Sequence, residues 1–221
     1  MSLGPRVEGL RARIQHACGA AGRDPASVEL LPVSKKQPLA LIREAAALGF
    51  TRFGENYVQE GADKAAAAPE LGFVLLGPLQ RNKAKAALQH FAELQSLDRP
   101  ELVERLRRLA EELDVVRPVW LQVDLWDEAT KLGGCSGADL PALIESLGGD
   151  ARLPLRGFMA IPPPDDDAAF AQLAELRERF QQDLGQPLRL SMGMSGDLEA
   201  AIAAGSDQIR IGTAFFGERS Y

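Results

Sequence analysis

Residues 28–38 read Val-Glu-Leu-Leu-Pro-Val-Ser-Lys-Lys-Gln-Pro, a short apolar run that ends in two lysines and a proline. The next segment, 39–48, has apolar residues at helical spacing and predicts a helix. A buried strand followed directly by a helix is the unit from which parallel α/β sheets are built. Because the chain repeats this alternation to its end, the number of repeats decides the architecture.

Eight segments carry the strand pattern: 28–34, 51–54, 73–77, 94–97, 116–124, 155–161, 188–192 and 208–215. Helical patterns fill the gaps between them at 39–48, 58–67, 82–91, 100–113, 138–147, 167–184 and 197–203. Eight strands alternating with helices predict an α/β fold, a single (β/α)8 barrel of TIM type. A doubly wound open sheet is the alternative, but no G-x-G-x-x-G motif follows the first strand.

The two ends of the chain complete this arrangement. The last predicted strand runs almost to Tyr221, so we expect no helix after it. Segment 7–18 has apolar residues at helical spacing and stops at the glycine-rich segment 19–22. We therefore predict an extra N-terminal helix that covers the gap after strand eight. No linker-like segment divides the chain, so we expect residues 1–221 to form one domain.

Composition excludes several classes of protein. The formal net charge is -6, which disfavours nucleic acid as a partner. Cys18 and Cys135 lie far apart, so we expect neither a disulfide framework nor a cysteine zinc site, and a reducing cytoplasmic setting fits best. His16 and His90 have no companion at metal-ligand spacing, so no metal is expected. No apolar run approaches the ~18 residues of a membrane span.

Lys35 and Lys36 stand at the carboxyl end of the first predicted strand, where barrel enzymes build their sites. Adjacent residues of a strand point opposite ways, so only one of the two lysines can face the barrel mouth. A desolvated lysine has a lowered pKa, and its amine can attack an aldehyde. The alternative is that both are ordinary exposed lysines.

Strand eight contains Gln208-Ile209-Arg210-Ile211-Gly212-Thr213. Its isoleucines share one face and should point outward to the helices, which turns Arg210 inward. An inward arginine stays charged and needs an acceptor or an anion. The alternative is an internal salt bridge, for example to Glu29 or Glu55.

Two turns at the ends of the last strands predict an anion site. The segment 191–197, Ser-Met-Gly-Met-Ser-Gly-Asp, leads from strand seven into a short helix, and Gly212 with Thr213 ends strand eight. Backbone N–H groups at such turns bind phosphate, and barrels often use the loops after strands seven and eight. The alternative is a plain helix cap by Ser195 or Asp197.

Polar side chains also follow strands two and three. Asn56 can orient a polar ring, or else cap the following helix. The basic turn 77–83 is either a rim of the site or a solvated helix start.

Taken together, these residues resemble the pyridoxal phosphate homeostasis protein family, whose barrel is similar to the N-terminal domain of alanine racemase. The resemblance is carried by Val33-Ser34-Lys35, 53–60, Gly77 with 79–83, Gly157 with 159–162, 190–195 and 210–214. It covers nearly the whole chain. Positions that depart from the family pattern are Lys36, Gln37, Val74 and Asp124.

The resemblance implies pyridoxal 5′-phosphate as the cofactor, bound as a Schiff base (aldimine) on Lys35 rather than Lys36. It implies phosphate contacts around the two turns and Arg210 at the pyridine nitrogen, where a charged arginine makes the ring a poor electron sink. The predicted cofactor-binding residues are Lys35, Asn56, Ser191, Met192, Ser195, Arg210, Gly212 and Thr213.

The expected function is to hold the cofactor in intracellular vitamin B6 and amino-acid homeostasis, without catalytic turnover. A racemase needs an acid and a base on opposite faces of the bound substrate, and the only tyrosines here are Tyr57 and Tyr221. We expect a cytoplasmic monomer, with apo-enzymes that depend on this cofactor as possible recipients. The alternative is an amino-acid racemase or another Schiff-base enzyme, such as an aldolase.

Overall fold

The computed structural model describes residues 3–124, 133–163 and 166–218. Its strands are β1 (Glu29–Pro32), β2 (Arg52–Glu55), β3 (Gly72–Leu75), β4 (Glu93–Leu97), β5 (Val119–Gln122), β6 (Leu155–Met159), β7 (Arg189–Ser191) and β8 (Gln208–Ile211). All neighbours pair in parallel, in the order β1-β8-β7-β6-β5-β4-β3-β2. The ends of this order meet where Val33 pairs with Gly54, so the sheet comes round into a barrel. The barrel prediction is confirmed, and the open doubly wound sheet is wrong.

Helices cover the outside of the barrel. Within the described residues they are α1 (Leu3–Ala20), α2 (Leu39–Ala47), α3 (Val58–Ala67), α4 (Ala84–His90), α5 (Pro100–Glu112), α6 (Leu140–Leu147), α7 (Asp167–Leu184), α8 (Leu198–Ala203) and α9 (Thr213–Phe216). Short 3-10 helices, Pro25–Ser27 and Arg81–Lys83, precede β1 and α4. None of the described helices is long and apolar enough to cross a membrane.

The N-terminal helix covers the end of the barrel sequence, as predicted. Helix α1 packs against α8 and α9. Arg13 pairs with Glu199 of α8 at 2.8 Å, and Arg6 Nη1 donates to the carbonyl of Phe216 at 2.8 Å. The buried face of α1 supplies Val7, Leu10 and Ile14 to the core.

The end of strand eight differs from the prediction. Strand β8 stops at Ile211 instead of continuing to 215, and the short helix α9 follows it. Gly212 leaves the extended conformation with φ -102° and ψ -86°. The turn lets Phe215 and Phe216 pack into the core, where Phe215 meets Phe50 edge to face at 4.9 Å. The burial of these two rings therefore overrides the strand pattern.

The barrel separates an outer apolar core from a mixed interior. The outer core lies between strands and helices and includes Ile209 and Ile211, which confirms the predicted outward face of strand eight. A separate apolar cluster of Leu31, Val74 and Leu76 packs with Val33. Other residues of the interior are polar and buried, among them Gln95, Ser191, Gln208 and Arg210.

Gly157 tests the packing of β6 against β7. A Cβ atom at this position would lie 1.9 Å from the carbonyl oxygen of Arg189, the residue with which Gly157 pairs. We expect Gly157→Ala to lower the free energy of unfolding by about 1–3 kcal/mol, because the strands must separate to admit the methyl group. Urea unfolding followed by circular dichroism measures the change.

Gly9→Ala is the matched control. Gly9 lies on the exposed face of α1, and a Cβ atom there would meet nothing within 4 Å. We expect this variant to gain about 0.5–1 kcal/mol, because alanine loses less backbone entropy in a helix. If Gly157→Ala unfolded at the same urea concentration as the unchanged protein, the close packing of β6 on β7 at this position would be contradicted.

Candidate functional site

A cavity of about 470 Å³ opens at the carboxyl end of the barrel strands. Six of the predicted residues line it: Lys35, Asn56, Ser195, Arg210, Gly212 and Thr213. They come from the ends of β1, β2, β7 and β8, so closure of the barrel brings together residues that lie far apart in the sequence. Cavities of this size hold small-molecule ligands in other proteins.

The two adjacent lysines have different surroundings. Lys35 is half-buried and lines the cavity, whereas Lys36 is exposed. Strand β1 ends at Pro32, two residues earlier than predicted, so the lysines lie in a turn rather than on a strand. Lys36 has a φ of 59°, in the left-handed region that residues other than glycine rarely occupy. This turn, and not strand alternation, separates the directions of the two side chains.

Arg210 points inward and is buried, as predicted. Its Nη1 donates to Ser191 Oγ at 2.8 Å, and its Nη2 donates to the carbonyl oxygen of Ala160 at 2.7 Å. Burial lowers the pKa of Arg210 to about 10, and the charge of Asp197 opposes this shift. The side chain is still cationic near neutral pH, so the cavity contains a permanent positive charge.

A chain of hydrogen bonds continues from Arg210 through the barrel interior. Ser191 Oγ lies 2.9 Å from the Oε1 atoms of both Gln95 and Gln208. Gln95 Nε2 donates to Gln208 Oε1 at 2.7 Å, and Gln208 Nε2 donates to Glu29 at 2.9 Å. These contacts link the guanidinium at the cavity to a carboxylate at the opposite end of the strands.

The predicted alternative of a salt bridge from Arg210 to Glu29 or Glu55 is not observed. Arg52 Nη1 lies 2.8 Å from Glu29, and Lys64 Nζ lies 2.6 Å from Glu55. Both carboxylates are therefore paired with other cations. Hydrogen bonds to neutral groups stabilise Arg210 instead.

The turn after β7 contributes both to the cavity and to the layer beneath it. Ser195 lines the cavity, but Ser191 and Met192 are fully buried below the lining. The Met192 N–H donates to the carbonyl of Gln208 at 3.2 Å. Of the residues predicted for direct contact, these two are thus the ones that the structure does not bring to the cavity surface.

The structure also shows which residues occupy the N-cap positions of α8 and α3. Asp197 is the N-cap residue of α8, but its carboxylate accepts from the Met194 N–H at 2.5 Å and makes no side-chain cap bond to the helix. Tyr57 is the N-cap residue of α3, so Asn56 precedes the cap and lines the cavity. The backbone of Asn56 packs on Gly77, where a Cβ atom would lie 2.0 Å from the Asn56 carbonyl oxygen. Glycine at 77 therefore permits the observed position of Asn56.

The predicted cofactor-binding residues did not include the apolar side chains of the lining. Val33, Leu76, Met159 and Ile161 form an apolar part of the lining. Gln95 shares its strand face with Glu93, and both are buried. Polar residues at alternate positions of a strand share one face, so Glu93 and Gln95 of β4 could have indicated a polar barrel interior.

Comparison with known proteins identifies the family. Residues 7–220 match the family model described as alanine racemase, N-terminal domain. A protein of Pseudomonas aeruginosa named pyridoxal phosphate homeostasis protein is 45% identical over 230 residues, covering 100% of this chain and 97% of the relative. The chain belongs to the pyridoxal phosphate homeostasis protein family. The resemblance stated from the sequence is confirmed.

A second curated relative and two solved structures are also similar to this chain. The protein of that name in Escherichia coli is 40% identical, covering 96% of this chain and 94% of the relative. PipY of Synechococcus elongatus, whose structure was solved with PLP bound, superposes with a TM-score of 0.86 at 39% identity, over 98% of this chain and 100% of that one. Alanine racemase of Clostridium difficile shares the fold, with a TM-score of 0.72 at 11% identity. The relatives are named as homeostasis proteins rather than enzymes, in agreement with the expected non-enzymatic function.

Ser191→Ala tests the support beneath Arg210. The substitution removes the oxygen that accepts from Nη1, and leaves a buried charged donor without that partner. We expect the free energy of unfolding to fall by about 1–3 kcal/mol. Ser146→Ala is the control, because the Ser146 hydroxyl donates only to the Leu143 carbonyl of its own helix and its loss should change stability by less than about 0.5 kcal/mol. Equal unfolding midpoints for the two variants would contradict the importance of the Ser191 contact.

Proposed function

We propose that the protein binds pyridoxal 5′-phosphate as a Schiff base with Lys35 and holds it without catalytic turnover. The observation that carries this proposal is the shared cavity of Lys35 and Arg210, an amine and a permanent cation facing the same space. An aldehyde requires the amine, and an anionic phosphate is attracted to a cationic site closed by glycine-containing turns. The PLP bound to PipY supports the binding of this cofactor.

The cavity fits each part of the cofactor. The apolar lining from Leu76 and Met159 suits the faces of an aromatic ring, and the turn residues Ser195, Gly212 and Thr213 suit its phosphate. Arg210 would donate to the pyridine nitrogen and Asn56 would orient the ring. Ser191 and Met192, which lie below the lining, would act by supporting Arg210 and the turn.

The ionisable side chains of the cavity favour holding the cofactor over catalytic turnover. Pyridoxal phosphate, when bound, supplies an electrophilic centre for amino-acid chemistry. Of the described residues that line the cavity, Lys35 and Arg210 carry the ionisable side chains, and the arginine does not release its proton near neutral pH. A two-base racemisation needs a second proton carrier on the opposite face.

The wider role follows from this chemistry and from the names of the relatives. We infer a part in intracellular vitamin B6 and amino-acid homeostasis, in which the cofactor is stored and released to apo-enzymes that require it. We further propose that residues 1–221 act as one binding domain, as a monomer in the cytoplasm.

The decisive experiment compares Lys35→Ala with its neighbour Lys36→Ala. Both proteins are mixed with pyridoxal phosphate, and the visible absorbance band and the mass increase after borohydride reduction are recorded. We expect Lys35→Ala to lose both signals and Lys36→Ala to keep them, because only Lys35 lines the cavity. Retention of the reduced adduct in Lys35→Ala would exclude the assignment.

A second experiment separates holding from catalysis. The loaded protein is incubated with L-alanine in deuterium oxide, and exchange of the Cα hydrogen is followed by NMR. We expect exchange to be far slower than the ~1–10³ s⁻¹ turnover typical of enzymes. Exchange within that range would favour the racemase alternative.

A further inference from the structure

The two peptide groups that flank Lys35 are held by a single ion pair. Lys64 Nζ donates to the carbonyl oxygen of Ser34 at 2.7 Å, and the N–H of Lys36 donates to Glu60 Oε1. Lys64 Nζ also lies 2.7 Å from that same Glu60 oxygen. The backbone on both sides of Lys35 is therefore fixed to two residues of helix α3.

A buried carboxylate anchors this pair. Glu55 Oε1 lies 2.6 Å from Lys64 Nζ, and it accepts from the Ser34 hydroxyl at 2.6 Å. Glu55 is fully buried, and its Oε2 atom has no hydrogen-bond partner in the part of the chain that the structure describes. Desolvation raises the pKa of Glu55, and the hydrogen bonds from Lys64 and Ser34 oppose that shift. Such a desolvated carboxylate persists only with strong partners, so it fixes the position of the ammonium group.

The backbone at Lys36 explains why the turn needs to be held. A left-handed residue other than glycine or asparagine costs roughly 1–2 kcal/mol. Lys36 adopts this conformation with a φ of 59°, and the bond from its N–H to Glu60 compensates for part of the strain. Without that bond, the turn could relax to a conformation in which Lys35 leaves the cavity.

We propose that Glu60 and Lys64 are positioning residues that hold the Lys35 amine at the cofactor cavity. Neither lines the cavity, so they act through the backbone of Lys35 rather than on the cofactor. The inference rests on the proposed function of Lys35 as the cofactor lysine. The mechanism is orientation, since a reacting group displaced by about 1 Å can lose as much as 10²-fold in rate.

Glu60 offers the cleaner test, because its side chain is 26% exposed and its replacement leaves no large cavity. Glu60→Ala removes the acceptor for both Lys36 and Lys64, whereas Glu60→Gln keeps an oxygen that accepts a hydrogen bond. The matched control is Glu112→Ala, which breaks the exposed ion pair with Lys85. The rate of cofactor capture is measured by stopped-flow absorbance, and visible circular dichroism reports the orientation of the bound ring.

We expect Glu60→Ala to capture pyridoxal phosphate about ten-fold more slowly and to show weaker visible circular dichroism per bound molecule. Glu60→Gln should recover most of the rate, and Glu112→Ala should match the unchanged protein. Thermal unfolding of the unloaded variants is recorded alongside. A purely structural role would lower the unfolding temperature of Glu60→Ala and leave its capture rate and dichroism unchanged, which would overturn the proposal.

The arms of the experiment also separate this proposal from the proposed function. If Lys35→Ala abolishes capture while all Glu60 variants capture normally, Lys35 is the cofactor lysine and the positioning role is wrong. If the unchanged protein itself forms no borohydride-reducible adduct, the proposed function fails, and the positioning role is overturned with it.

Discussion

A guanidinium group buried inside a barrel constrains most of the inward-facing residues around it. Arg210 stays cationic even with its pKa lowered to about 10, so its N–H groups need acceptors within the strands. Ser191 and the carbonyl of Ala160 supply them, and the Ser191 hydroxyl in turn lies within hydrogen-bond distance of the amide oxygens of Gln95 and Gln208. Polar residues of β4, β7 and β8 therefore stabilise this charge inside the barrel. A barrel filled only with aliphatic side chains would leave that charge unsolvated.

Part of the cavity lining is apolar rather than charged. Leu76 and Met159 contribute to it, and Val33 continues this surface to the turn that carries Lys35. A flat ring with one anionic end suits such a division, since its faces contact aliphatic groups while its polar edge meets the arginine. The Lys35 amine and the Arg210 cation also lie on separate elements, because Lys35 follows β1 and Arg210 lies on β8.

Local patterns predicted the fold because a parallel barrel repeats one local unit. All eight strands, the N-terminal helix and the inward face of β8 follow from periodicity alone. Strand ends were less predictable: Phe215 fits the strand pattern, but its ring packs against the rings of Phe50 and Phe216. The hydrogen bonds that hold the site residues in place could not be predicted from local patterns. Gln95 and Gln208 are separated by 113 positions, and their hydrogen bond exists only after the barrel closes.

The two reactive positions of the cavity are each fixed by a network that does not touch the cavity itself. On one side, α3 holds the peptide groups around Lys35, and on the other, Gln95 and Gln208 hold the acceptor of Arg210. Rigid placement of an amine and a cation lowers the entropy lost on binding, so it increases affinity for a ligand that matches both. Neither Arg210, which remains charged, nor the buried Glu55, which is engaged with Lys64, is placed to exchange a proton with such a ligand. This arrangement agrees with the proposed retention of a cofactor, because a two-base reaction would need a second proton carrier on the described lining of the cavity.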